Sequence, residues 1–249
     1  MPMFEFKKDK IFSLCVILLL LLKSSCGPDE NEPVRVNFEV KLEVGSPMPA
    51  HFTFTRIVGS IRSIRFVGTR QAGNDVVFNT RPGQTVGNFD LNPTLLNTPI
   101  TWFDIPEGIY NSMRWEIQTQ ELETVFDFDD FISMDDEFGL LIEGTYTRLD
   151  ATRIRLIIAL HEDDLVKFES VNVQGQLPIT LVTGTTYTAV LQINPFSILG
   201  AIPRTLLEQA DLQGDDDDNY FLVISSDVNP ERYNLLLLSL SRNLRAFIR

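Results

Sequence analysis

The sequence predicts a mainly β protein: two β-sandwich-like halves with a C-terminal helix. Three observations carry this reading. In Pro33–Val44, apolar Val34, Val36, Phe38, Val40, Leu42 and Val44 alternate with polar residues, the pattern of a strand with one buried face. Short apolar runs then recur between turn signals, the arrangement of a sandwich and not of βαβ units. Near the end, Tyr233, Leu237, Leu240, Leu244 and Ile248 recur at three- and four-residue steps, the spacing of one helix face.

In order, the first strand is stopped by the segment from Gly45 to Pro49. Strand-like runs follow at Phe52–Val58, Ile61–Val67, Val76–Asn79, Val86–Leu91 and Ile100–Ile105. Gly59-Ser60, Gly73 to Asp75, Arg81-Pro82-Gly83 and Asn92-Pro93 separate them, residue types that favour turns. A turn at Pro106 to Tyr110 feeds a strand with Met113, Trp115, Ile117 and Thr119 on one face. Gly108 is placed to take a backbone angle that costs other residues, and Tyr110 to close the corner by bonding back to the main chain.

The alternation breaks at 123–138, where Phe126-Asp127-Phe128-Asp129-Asp130-Phe131 and Asp135-Asp136-Glu137 form an acidic, aromatic junction. It divides an N-terminal sandwich at 34–122 from a C-terminal β-rich domain at 139–249. Strand signals resume at Leu140–Thr147, Arg153–Leu160, Val166–Val173, Ile179–Leu181, Tyr187–Ile193 and Tyr220–Ser225. Two helices are expected. One is short, at Pro203–Leu212. The other opens with Asn229 as N-cap and Pro230 at the first helical position.

The first 25 residues are of another kind. Lys7, Lys8 and Lys10 precede the apolar run Ile11–Leu22, which is too short for a hydrocarbon core of about twenty residues and fits a secretory signal. The stretch Leu22-Lys23-Ser24-Ser25-Cys26 resembles a bacterial lipobox, departing from it at Lys23, where an aliphatic residue is usual. The resemblance implies that residues 1–25 are a lipoprotein signal peptide and that Cys26 is acylated. The alternatives are a retained anchor helix and plain secretion. Of the two cysteines, Cys15 lies in the discarded segment, so lipidation also accounts for a lone mature thiol.

Residues 26–33 read as an acidic tether, with Asp29, Glu30 and Glu32. The run after Cys26 resembles the acidic export signal of surface lipoproteins in Bacteroidetes-type bacteria. That likeness implies lipid anchoring in the outer membrane at the cell surface. Pro106-Glu107-Gly108-Ile109-Tyr110 resembles a motif of bacterial surface β-sandwich lipoproteins, fimbrillin-like ones among them. The stretches Gly139–Thr147, Asn194-Pro195-Phe196 and Ile224 to Glu231 are similar to segments of uncharacterised lipoproteins of the same group. These likenesses imply a fold and bring no catalytic residues with them.

Removing residues 1–25 takes four lysines and two acids from a chain of formal charge −13, leaving −15. Such a surface repels polyanions and argues against a nucleic-acid partner. Membrane attachment then falls to the lipid on Cys26, because no basic patch is legible.

No catalytic constellation is legible. The histidines, His51 and His161, are far apart in sequence, and no Gly-x-Ser-x-Gly elbow is present. Asp215 to Asp218 gather hard oxygens suited to calcium. Tyr220 and Ser226 stand where an EF-hand needs its glycine and closing glutamate, so the run reads as a solvated loop. Asp127, Asp129 and Asp130 are read in the same way. No cofactor or metal is expected. Trp102 and Trp115 are either core residues or a sugar-stacking platform. The class is a non-enzymatic surface binding or structural module with an unknown protein or glycan ligand. Its alternatives are a fimbrial assembly subunit, which the expected terminal helix disfavours, and a carboxylate-dependent glycan hydrolase.

Overall fold

The long alternating segment lies between two other strands in the larger of two sheets. In the computed structural model of the chain, residues 32–43, 49–81, 84, 86–122, 138–162, 164–214 and 220–249 are described. The signal segment, Cys26, most of the tether, the junction 123–137 and the run Asp215–Asp218 lie outside the described residues.

The larger sheet holds β1 (Pro33–Leu42), β3 (Ile61–Arg70), β4 (Val76–Asn79), β6 (Asn97–Pro106), β7 (Gly108–Thr119), β10 (Leu165–Asn172), β11 (Ile179–Leu181), β12 (Tyr187–Ile193) and β15 (Arg245–Ile248). Its order is β4-β3-β7-β10-β15-β12-β1-β6, with β11 also on β7. The smaller sheet holds β2 (Phe52–Gly59), β5 (Phe89–Leu91), β8 (Phe138–Thr147), β9 (Arg153–His161), β13 (Leu212–Gly214) and β14 (Tyr220–Ile224). Its order is β13-β14-β9-β8-β2-β5. The mainly β class is thus the observed one.

Strands from either side of 123–138 share both sheets. β1 runs parallel to β12, with Val36 opposite Tyr187, and antiparallel to β6. In the smaller sheet β2 pairs with β8. Val34, Val36, Phe38, Val40 and Leu42 are at most 1% exposed. They lie in a single cluster that also takes Leu140, Ile142 and Leu156 from the second half. An apolar strand face does not specify its neighbour, so the boundary at 123–138 marks no break between cores. β8 and β9 are also covered on their other face, where Leu141, Ile157, Ala159, Phe221 and Val223 form a second cluster. This explains their unbroken apolar runs, since a strand buried on both faces loses its alternation.

Aromatic rings fill the larger sheet's concave side. The Trp115 ring lies 5.1 Å from Phe38, 4.9 Å from Phe66 and 5.4 Å from Phe103. These rings come from β7, β1, β3 and β6, so the sheet curls strongly. Its edge strands β4 and β6 line a common groove.

The helices differ from expectation. Asn194 caps a short helix, α1 (Pro195–Leu199), accepting hydrogen bonds from the Phe196 and Ser197 amides at 3.0 and 3.1 Å. The helix expected at Pro203–Leu212 is confined to α2 (Arg204–Glu208), and Leu212 starts β13. The C-terminal helix, α3 (Pro230–Asn243), stops before Leu244, which is extended. Leu244 and Ile248 reach the core from the extended chain, because β15 pairs with both β10 and β12. Asn229 does not cap α3 with its side chain. It holds the Asp211 amide and carbonyl and the Val223 carbonyl, at 2.9, 2.9 and 2.7 Å.

Candidate functional site

The two tryptophans have opposite fates. Trp115 is fully buried, and its indole N–H donates to Ser170 Oγ at 2.6 Å. Trp102 stands 42% exposed on β6. Strand alternation predicts the contrast: Phe103 and Ile105 point into the core, so Trp102 and Asp104 share the solvent face.

The Trp102 ring is held in place. The Arg35 guanidinium lies 3.7 Å from its ring centroid, a favourable cation–π stack. Arg35 is in turn fixed by Asp104, whose Oδ1 accepts from Nε at 2.9 Å. Gln84 donates to Thr101 Oγ1 at 2.8 Å and to the Trp102 carbonyl at 2.9 Å. Beside the ring is a groove of about 300 Å³, lined by Phe78, Asn79, Arg81, Gln84, Trp102 and Asp104 among others. An aromatic surface ringed by amide, guanidinium and carboxylate groups can stack on an apolar face and hydrogen-bond its polar rim. Trp102 was legible in the sequence. Arg35 and Asp104 were not, because only the β1–β6 register sets them opposite each other.

Two other sets of titratable groups, around Glu208 and Glu143, are bonded within the fold. His51 lies beside Thr147 at one end of β8, and His161 pairs with Phe138 at the other. Ten residues of strand put these ends about 30 Å apart, so the two histidines do not meet. His51 does sit in a cluster with Tyr146, Arg148, Arg204 and Glu208. Glu208 accepts from Tyr146 Oη at 2.5 Å, Arg148 Nε at 3.3 Å and the Leu149 amide at 2.9 Å. The Tyr146 bond, ahead of the backbone and arginine bonds, holds the Glu208 carboxyl below its usual range. Burial, then the charge of Arg204, lowers the His51 imidazole. With these bonds in place, Glu208 fastens α2 to the end of β8.

Glu143 is a second well-paired carboxylate. Arg56 Nε reaches it at 2.8 Å and Arg155 Nη2 at 3.1 Å. Among the described residues, no group of three or more His, Cys, Asp or Glu side chains gathers to hold a metal ion. Also among them, no helix is long and apolar enough to cross a membrane. The sites read at Cys26 and at Asp215–Asp218 lie outside the described residues. At the corner before β7, Tyr110 Oη donates to the Pro106 carbonyl at 2.7 Å, and Gly108 has φ +142°.

No family model, curated protein or solved structure matches this chain.

Proposed function

We propose that the chain is a lipid-anchored cell-envelope protein whose β body is a non-enzymatic binding module, with the Trp102 groove as a glycan contact. The observation that carries the reading is Trp102 itself, exposed and stacked on the Arg35 guanidinium that Asp104 holds. Burying an aromatic ring is favourable, so a ring held on the surface is a ready contact for a ligand. The anchor reading rests on the N-terminal signal and Cys26. From Cys26 to Pro33 the chain spans at most about 25 Å when extended, and Pro33 lies opposite Pro106 on β6. That tether keeps the body close to the lipid surface.

The test has two arms, both with the full chain. Cys26→Ser removes fatty-acid labelling and releases the protein from membranes; continued membrane attachment defeats the anchor. Trp102→Ala abolishes retention on immobilised envelope polysaccharides that retain the parent protein. Retention of both proteins, or of neither, defeats the groove.

A fimbrial subunit is the second reading, and one observation favours it. Arg245–Ile248, expected as helix, form strand β15, and exchange of a strand between copies is how such subunits polymerise. A ladder of stable oligomers from detergent-extracted protein would support that reading.

A further inference from the structure

A second groove, on the outer face of the larger sheet, has the opposite charge to the chain as a whole. Its volume is about 650 Å³, and its charged lining is Arg114, Glu116, Lys167, Glu169, Arg242 and Arg245. Four cations and two carboxylates thus meet on a protein of formal charge −13. Strand register produces the cluster: Arg114 on β7, Glu169 on β10 and Arg245 on β15 form one row. A neighbouring row sets Arg65, Glu116 and Lys167 side by side.

The second row satisfies itself, with Glu116 3.0 Å from Arg65 and 3.8 Å from Lys167. The first row does not. Arg245 gives one hydrogen bond to the Leu244 carbonyl at 2.7 Å. Among the described residues, none of Arg114, Arg242 and Arg245 forms an ion pair. Arg242 in the last turn of α3 has a helix-end explanation, whereas Arg114 and Arg245 share the single Glu169 between them across the strands, so their row keeps a net positive charge.

We propose that this groove binds a small organic molecule bearing two phosphate or sulfate esters, free or as the headgroup of a lipid. Guanidinium groups match such oxyanions with paired hydrogen bonds. Arg114 and Arg245 are two strands apart, about 10 Å, which suits two esters better than one ion. The volume fits a small ligand. The net negative charge of the protein repels a long polyanion but leaves a local cationic groove open to a compact one.

The test is calorimetric titration of the full chain in detergent at low salt, using fructose 1,6-bisphosphate, inorganic phosphate and fructose. A bisphosphorylated disaccharide glycolipid in the same micelles distinguishes the headgroup source from the free sugar. Bisphosphate or glycolipid is expected to bind at least about tenfold tighter than inorganic phosphate, and fructose not at all. Arg114→Gln with Arg245→Gln should weaken binding about tenfold, a loss of about 1.4 kcal/mol, with cooperative unfolding retained. Arg153→Gln, on the other sheet, should leave binding as it was. Binding of neither bisphosphorylated probe overturns the proposal. So does equal affinity for inorganic phosphate, or binding unaffected by the double substitution. Trp102→Ala should leave this binding intact, which separates the result from that of the Trp102 groove.

Discussion

The indole N–H of Trp115 donates to the Ser170 hydroxyl at 2.6 Å, and both residues are fully buried. Ser170 lies on β10, the strand next to β7, so the bond joins two central strands from distant parts of the sequence. Ser170→Ala leaves the indole donor without an acceptor in a dry core, at a cost of about 1–3 kcal/mol. Denaturant unfolding followed by tryptophan fluorescence measures it. A change below a few tenths of a kcal/mol would show that the indole finds another acceptor.

Ala246 tests the C-terminal strand. It is fully buried and pairs with Ser170 on β10 and Leu191 on β12. Ala246→Asp places an unpaired carboxylate in the core and should destabilise the protein by more than about 3 kcal/mol. Soluble yield and the thermal midpoint report it. A near-native midpoint would mean that the chain end is not held between these strands.

Glu143 is 7% exposed and serves two arginines. Glu143→Ala takes the shared carboxylate from Arg56 and Arg155 and should cost about 2 kcal/mol, less than for a fully buried pair. Arg155→Ala alone, at the more exposed end, should cost under about 1 kcal/mol. Chemical denaturation of both variants checks the order. A reversed order would move the weight of the triad to Arg155.

Alkaline pH should weaken the fold through its tyrosines. Burial pushes Tyr110 and Tyr146 up from 10 to about 12, with the Glu208 bond adding to the effect at Tyr146. Burial, and then the Asp164 bond, also pushes Tyr233 up. The folded state therefore holds these protons more tightly than the unfolded chain. Their contribution is complete below pH 10 and is lost as pH rises towards 12. Tyrosinate absorbance should titrate late for these residues, with the thermal midpoint falling over the same interval. Ionisation of all five tyrosines together near pH 10 would contradict this.

By itself the sequence determined where most of the strands lie. Val76–Asn79, Ile179–Leu181 and Tyr187–Ile193 begin and end where their patterns do, because side-chain alternation and turn residues act over a few neighbours. It also placed Tyr110 and Gly108 at their corner, and the reading of Cys26 rests on it alone. Tertiary structure decided which strands meet. β1 found β12 across about 150 residues of chain, and Leu244 to Ile248, helical by spacing, became extended chain between two other strands. The grooves followed from those choices. Arg35 meets Asp104, and Arg114 lines up with Arg245, only through register. Hydrogen bonds between strands are made by backbone groups common to all residues, so a strand's pattern states which face is buried and not which partner lies beside it.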